Sequence, residues 1–330
     1  MAKDEVKNQH YVPQAYLRHF ANSKEQIWVF DKSNGQEFQT NVRNVASERR
    51  FYDNDDLGSI TGDRQFIEKQ LGNLEGHYET LSQALVRDLS RGRFRSISPK
   101  YRHFLATYMV VQMLRTKESR IQHEHMAKTI LAIQKKAYRD RGLEIPSDTE
   151  LLDGTTPKEM AQDVQHRTLL DGDHIREMAM ILYRHIWVIQ EAFGDEEFIT
   201  SDHPFVKRGH ITGTWRSMSG IASEGIEILF PLSPKYLLTL VERRHFATMA
   251  RLDGLRMPLV CHDNMIYNNQ FQVKQSNRFV FSRNKDFDFV RMMIAEEPIH
   301  GDPNRNRLKT NHDSELEADA AKTKAQQDVP

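Results

Sequence analysis

The feature that most constrains this chain is a change in the spacing of its hydrophobic residues near residue 185. Between residues 63 and 89, apolar side chains recur every three or four positions, which is the period of an amphipathic helix. Later segments alternate, as in "HIWVIQEAF" (185–193), or form short apolar runs such as "IEILFPLSP" (226–234) and "YLLTLV" (236–241), which indicate strands. The sequence therefore predicts an α+β fold: an N-terminal segment and hairpin, a helical middle, and a mostly antiparallel C-terminal sheet.

Helix signals divide the middle of the chain. Ser98-Pro99 predicts an N-cap followed by proline at the first helical position, and the helix that it opens is expected to be one long buried helix reaching Arg141. A capping box at residues 156–159 predicts another helix start, and the helical pattern then continues, with a break at Asp171-Gly172, to about Arg184.

Strand signals lie on both sides of these helices. The segment "IWVFDKSNGQEFQT" (27–40) predicts a β-hairpin with an Asn-Gly turn. A second hairpin is expected from residues 185–193 and "FITSD" (198–202), joined by a Gly-Asp turn. A late helix from Pro258 to about Gln275 precedes one more strand, "RFVFS" (278–282).

Composition limits the class of protein. The chain has 330 residues and one cysteine, Cys261, which excludes an internal disulfide framework and a cysteine-based zinc cluster and favours the cytoplasm. No apolar run approaches the roughly 20 residues that span a bilayer, and no secretory signal is visible, so no membrane association is expected. Residues 296–330 are polar and nearly free of aromatic side chains, which predicts a disordered tail.

Charge is balanced overall but uneven along the chain. Lys and Arg total 46, as do Asp and Glu, yet residues 91–141 contain thirteen basic and three acidic residues. A basic segment of this kind attracts polyanions. It favours a phosphate-bearing ligand or nucleic acid as a partner, while the sequence gives no oligomeric state.

Two polar residues interrupt an otherwise apolar helix. Gln112 and Arg115 follow Tyr101, Leu105 and Tyr108 at spacings of three and four, so all five lie on one stripe. A guanidinium in that stripe either extends its charge to solvent, pairs with a buried carboxylate, or binds an anion such as phosphate.

A second set of polar residues follows the end of an apolar strand in "FITSDHPF" (198–205). In this group Asp202 and His203 admit three interpretations: a pair of metal ligands, a base with its orienting carboxylate, or a turn that ends the strand.

The third group is "NQHYVPQAYLRHF" (8–20), where polar residues alternate with aromatic ones. Pro13 disfavours helix at the residue before it, so an extended entry followed by a short helix is expected. His10 is either a buried histidine bonded to a carboxylate or a catalytic or metal-binding residue, while Gln14 and Arg18 are candidate ligand-binding residues.

These segments resemble a bacterial family catalogued as domain of unknown function 4238. The hallmark is the His-Tyr-Val-Pro-Gln segment followed by an aromatic residue and Leu-Arg-x-Phe, here His10 to Phe20. The resemblance continues through "QMLRT" (112–116) and "FITSDHPF" to "NQFQVKQSNRFVFS" (269–282), and it covers about residues 8–290, which implies a single α+β domain over that range.

The resemblance also implies a set of special positions. The family pattern often has asparagine where this chain has His203, which moves the expected role to Asp202. The positions carried over are His10, Pro13, Gln14, Arg18, Asp53, Gln112, Arg115, Ser201, Asp202, Pro204, Pro231, Ser233, Pro234 and Asn269.

We hypothesise that the three polar groups converge on one pocket, with Arg115 and Arg18 set against Asp202 and with His10 as a proton carrier. His10, Asp202 and Arg115 are the candidate catalytic residues. The candidate ligand-binding residues are Gln14, Arg18, Gln112, Ser201, His203 and Asn269.

Three functions follow from this hypothesis. The first is a hydrolase acting on a phosphate-bearing substrate, nucleic acid or nucleotide. If that reaction uses a divalent metal, His10 and Asp202 are its expected ligands. The second is a non-catalytic binding or regulatory protein. The third is a purely structural network that docks the N-terminal segment on the helices.

Overall fold

The computed structural model describes residues 5–147, 149–213, 216–217 and 219–307. These residues form two compact units, the first from within Met1–Glu118 and His166–Pro303 and the second from within Ser119–Gln165 and Asn304–Pro330. No helix in the described ranges is both long and apolar enough to cross a bilayer.

Helices and strands are both abundant, which confirms the predicted α+β class. The helices are α1 (Gln14–Leu17), α2 (Asp55–Thr61), α3 (Phe66–Ser90), α4 (Pro99–Arg115), α5 (Lys117–Asp140), α6 (Pro157–Leu170), α7 (Gly172–Arg184), α8 (His262–Gln275) and α9 (Asp288–Glu296). The strands are β1 (Asn8–His10), β2 (Gln26–Asp31), β3 (Gln36–Asn41), β4 (Ser47–Arg49), β5 (Ile186–Glu191), β6 (Thr200–Ser201), β7 (Val206–Gly209), β8 (Thr212–Gly213), β9 (Arg216–Ser217), β10 (Ile226–Ser233), β11 (Tyr236–Val241), β12 (Leu255–Pro258) and β13 (Phe279–Ser282).

Two sheets organise the first unit. Five strands in the order β12-β5-β11-β10-β7 form a sheet from the C-terminal half, antiparallel except for the parallel pair β12–β5. The order β3-β2-β13-β6 joins the N-terminal hairpin to two late strands. The predicted hairpin at 27–40 is confirmed, because β2 and β3 pair in register from Gln26–Asn41 to Asp31–Gln36.

The predicted second hairpin is wrong. β5 pairs with β11 and β12, whereas β6 pairs with β13 in the other sheet. The chain does turn at Gly194, which has a φ of 54°. However, the flanking amides of Ala192 and Phe198 donate to carbonyls at the β10–β11 turn, at 2.9 and 2.8 Å, rather than to each other. The intervening turn of another hairpin therefore separates the two strands.

The helix that starts at Ser98 is shorter than expected. The start is confirmed, because the Ser98 hydroxyl accepts the Tyr101 amide at 3.3 Å and Pro99 opens the helix. The helix ends at Arg115 because Thr116 is extended, with φ −73° and ψ 158°, and a new helix begins at Lys117. Thr116 is buried, and its hydroxyl lies 2.8 Å from His203 Nδ1, a tertiary contact that the helical pattern does not reveal.

The late helix also starts later than expected. Pro258 pairs with Glu191 as the last residue of β12, and α8 begins at His262. A proline has no amide to donate, which suits the end of an edge strand.

The core of the first unit lies between the helices and the five-stranded sheet. Tyr16, Leu17 and Phe20 are fully buried, and the Tyr16 ring lies 5.3 Å from that of Phe230 on β10. The rings of Tyr78 and Tyr108 stack with centroids 3.7 Å apart, which fixes α3 against α4.

The second unit contains most of α5 and the start of α6. Gly142 follows α5 with a φ of 65°, the left-handed conformation typical of a helix stop. The capping box is confirmed, since Thr156 Oγ1 donates to Glu159 at 2.7 Å and accepts the Glu159 amide at 3.3 Å. The expected domain at 8–290 and disordered tail at 296–330 stay predictions, and residues 308–330 of that tail lie outside the described residues.

Candidate active site

The N-terminal segment is held on α4 through its backbone carbonyls. His10 is the last residue of β1 and Pro13 disfavours helix at Val12, so the carbonyls of His10 and Tyr11 have no helical amides as partners. Gln112 Nε2 donates to the Tyr11 carbonyl at 3.1 Å, and Arg115 Nη2 donates to the His10 carbonyl at 2.5 Å. The polar stripe of α4 therefore binds two consecutive residues of the first motif.

Arg115 is buried with its charge paired. Its side chain is 1% exposed, and Nη1 donates to Glu75 Oε1 on α3 at 2.7 Å. Nε lies 3.4 Å from the Tyr52 hydroxyl, which in turn donates to the Arg115 carbonyl at 2.7 Å. Each side of the guanidinium has a partner, and its carboxylate is Glu75 rather than the expected Asp202.

Glu68 lies on the same face of α3 as Glu75, nearer the start of the helix. Glu75 follows seven positions later, which is close to two helical turns, so both carboxylates lie on one side of the helix. Glu68 Oε2 is shielded from solvent and has no hydrogen-bond partner among the described residues. Burial raises the pKa of Glu68 to about 7, the charges of Glu75 and Asp53 act in the same direction, and Arg115 opposes them.

His10 completes this group, which we call the Glu68 cluster (His10, Tyr52, Glu68, Glu75 and Arg115). His10 Nε2 lies 3.2 Å from the Arg43 carbonyl, which only accepts, so Nε2 carries the hydrogen and Nδ1 is the basic nitrogen. Burial lowers the pKa of His10, so the ring is neutral near pH 7. Glu75 raises and Arg115 lowers that pKa, because both charges lie near the ring.

Asp202 has a different environment. It is fully buried, and its carboxylate accepts three successive backbone amides: Asn277 at 2.8 Å, Arg278 at 2.8 Å and Phe279 at 2.9 Å. Burial raises the pKa of Asp202, while the three amides and the charge of Lys32 lower it. These amides follow the last turn of α8 and lead into β13, so Asp202 closes the α8–β13 connection.

The neighbours of Asp202 support the same part of the fold. Ser201 Oγ donates to Gln272 Oε1 on α8 at 2.7 Å. The His203 ring contacts Thr116, the residue after Arg115, so the Asp202 region and the Glu68 cluster adjoin through this contact.

The remaining candidates lie elsewhere. Arg18 pairs at the surface with Glu25 and Glu79, each at 3.0 Å. Asn269 on α8 bonds the backbone of Ile199 and Glu197. Gln14 is half-buried and makes no side-chain hydrogen bond within the described part of the chain.

Sequence reasoning missed Glu68, Glu75 and Tyr52. A signal was present in α3, where Glu68, Leu71, Glu75 and Tyr78 follow at spacings of three, four and three, as Gln112 and Arg115 do on α4.

Within the described ranges, no group of three or more His, Cys, Asp or Glu side chains is arranged to hold a metal ion.

We expect Glu68 to make the free energy of unfolding depend on pH. Its pKa is about 7 in the folded chain and 4.5 as a free side chain, so the folded state binds more protons between these pH values. Glu68 therefore contributes fully to the free energy of unfolding below pH 4.5. This contribution is lost as pH rises through 7, and the loss is at most about 3 kcal/mol. We expect Glu68→Gln to gain stability relative to the parent over this range, measured by urea unfolding at several pH values.

The difference between the two proteins is the informative quantity. Burial lowers the pKa of His19 to about 4, so that residue makes the parent more stable as pH rises over a similar range. Subtracting the two profiles removes this opposing contribution. A difference that stays constant from pH 4.5 to 7 would contradict the shifted titration of Glu68.

The comparisons with known proteins bear on the family. The family model described as a protein of unknown function, DUF4238, matches residues 8–286, which is most of the chain. No curated protein and no solved structure matches the chain. The span of that match shows that the chain belongs to the DUF4238 family of proteins of unknown function.

Proposed function

We propose that the protein is a hydrolase that acts on a phosphate-bearing substrate, nucleic acid or nucleotide, with the Glu68 cluster as its active site. The observation that carries the proposal is the Glu68 carboxyl, whose shielded oxygen has no partner in the described structure and whose pKa is about 7. A general base works best when its pKa lies near the working pH. Unpartnered, titrating carboxyls of this kind are concentrated at active sites.

In the proposed reaction Glu68 takes a proton from a water molecule as the water oxygen forms a bond to phosphorus. The ester P–O bond breaks, and the same carboxyl returns the proton to the leaving oxygen. His10 lies near the charges of Glu75 and Arg115, and we assign it the role of a second proton carrier.

Arg115 is a positioning residue in this proposal. Its donors are already engaged with Glu75, Tyr52 and the His10 carbonyl, so it holds the carboxylate and the histidine in place. Asp202 acts at a distance, because its carboxylate holds the α8–β13 connection. We place the reaction in the cytoplasm, as the single cysteine suggests.

The test is an assay of the full chain on short single-stranded DNA, short RNA and bis(4-nitrophenyl) phosphate, each with and without Mg²⁺ or Mn²⁺. We expect Glu68→Gln to lower kcat/KM by about 10²-fold or more, because a general base is lost. Parent activity should increase as pH rises through about 7, where Glu68 loses its proton.

Glu79→Gln is the matched control, since Glu79 is on the same helix but pairs with Arg18 at the surface. It should keep the parent rate. The proposal is overturned if the parent turns over none of these substrates, or if Glu68→Gln and Glu79→Gln have equal activity.

A further inference from the structure

We infer that the first unit binds the phosphate backbone of a nucleic acid on a surface remote from the Glu68 cluster. This surface, called the basic face, comprises Arg91, Arg93, Arg95, Lys100, Arg251 and Arg256. The inference takes its ligand class from the proposed function, but it concerns binding and needs no turnover.

The centre of the basic face is the turn after α3. Gly92 has a φ of 66°, which reverses the chain, and the amides of Arg93 and Phe94 both donate to the Asp88 carbonyl, at 2.8 and 3.1 Å. Phe94 packs on the core, while Arg93 and Arg95 on either side of it are exposed. The guanidinium groups of Arg93 and Arg95 therefore project from the same side of this turn.

A second part of the chain extends the face. The Ile97 amide donates to the Gly254 carbonyl at 3.0 Å, and Arg256 Nη1 donates to the Leu89 carbonyl at 3.3 Å. These bonds place the β12 edge, with Arg251 just before it, next to the turn. Residues more than 150 positions apart in sequence thus form one surface.

The positive charge of this surface is largely uncompensated. Arg91, Arg93, Arg95 and Lys100 are exposed and form no ion pair within the described part of the chain. Asp253 is shared between two arginines, Arg102 at 2.9 Å and Arg243. Asp88 lies at the start of the turn, and Glu191 lies 3.6 Å from Arg256. Cations therefore outnumber carboxylates.

The composition of the face favours a nucleic acid over a lipid surface. Its cations are mainly arginines, which bind phosphate in a two-pronged geometry. The aromatic residue between them, Phe94, is turned towards the core, whereas segments that insert into membranes expose such residues beside their cations. A regular row of phosphates can contact several exposed guanidinium groups at once.

The position of the face separates it from the proposed active site. Arg91 follows the C-terminal end of α3, sixteen residues after Glu75, whereas Glu68 and Glu75 lie in the first half of that helix. At 1.5 Å per residue the two sites are roughly 24 Å apart along the helix. A polymer can span this distance, and a mononucleotide cannot.

The test measures binding of the full chain to fluorescently labelled single-stranded DNA over a series of salt concentrations. We expect Arg93→Ala/Arg95→Ala to weaken binding about tenfold or more at low salt. The slope of log affinity against log salt should fall by about 0.7 for each phosphate contact that is lost. Lys24→Ala/Lys285→Ala removes the same charge from two exposed lysines that belong neither to the basic face nor to the Glu68 cluster, and it should keep at least most of the affinity.

Two further measurements make the outcome decisive. Glu79→Gln, which changes the same helix outside the proposed active site, should bind as the parent does. Binding is measured without turnover, so failure of the hydrolase proposal leaves this inference standing. The inference is overturned if the parent binds no DNA, or if both double variants lose affinity equally. It is also overturned if vesicles containing phosphatidylserine bind the parent more tightly than DNA and depend on the same two arginines.

Discussion

Replacing Arg115 by methionine is expected to lower the free energy of unfolding by about 3–5 kcal/mol. Methionine keeps an unbranched apolar stem of similar length, so the change removes mainly the charge and the hydrogen-bond donors. The Glu75 carboxylate loses its cation at 2.7 Å, and the His10 carbonyl loses its donor at 2.5 Å. Breaking a buried ion pair from one side is costly because the remaining charge stays in a poorly solvated site. Chemical denaturation monitored by circular dichroism measures the loss.

Arg18→Met is the matched control for this measurement. Arg18 also pairs with two glutamates, but its side chain is 34% exposed, so we expect a loss of no more than about 1 kcal/mol. The double variant Arg115→Met/Glu75→Gln should recover part of the loss, since no charge is then left without its partner. Equal stabilities of Arg115→Met and Arg18→Met would contradict the buried pair.

Much of the fold was predictable because local signals agree with tertiary structure. The change of hydrophobic period near residue 185, the Ser98 cap and the 27–40 hairpin each depend on neighbouring residues, and the structure confirms all three. The two main errors have a long-range cause. α4 ends where Thr116 meets His203, and β6 joins a sheet whose other strands lie far away in sequence.

The candidate site was predictable only in part. The stripe containing Gln112 and Arg115 required polar partners, and the structure supplies them. The spacing does not say which carboxylate lies beside the guanidinium, because Glu75 is 40 residues away and Asp202 is 87. The raised pKa of Glu68 depends on burial and on neighbouring charges, which only the packed structure provides.

The largest remaining effect concerns Asp202. We expect Asp202→Ala to lower the free energy of unfolding by about 3 kcal/mol or more, because it leaves three backbone amides without their acceptor. Asp202→Asn should lose less, since the side-chain carbonyl still accepts from one or two of them. The measurement is again chemical denaturation, with Asp195→Ala as the control. Asp195 is exposed and forms no ion pair in the described ranges, so that change should stay within about 0.5 kcal/mol.

Comparing stability with activity then separates two roles for Asp202. If it serves only the α8–β13 connection, Asp202→Asn should keep the activity of the folded fraction, whereas Glu68→Gln should lose activity and keep its fold. If Asp202→Ala is as stable as the parent, the three amides have found other partners and their bonds to the carboxylate do not maintain the fold. Such a result would return Asp202 to the catalytic group, since a buried carboxyl kept without benefit to folding is typical of a functional site.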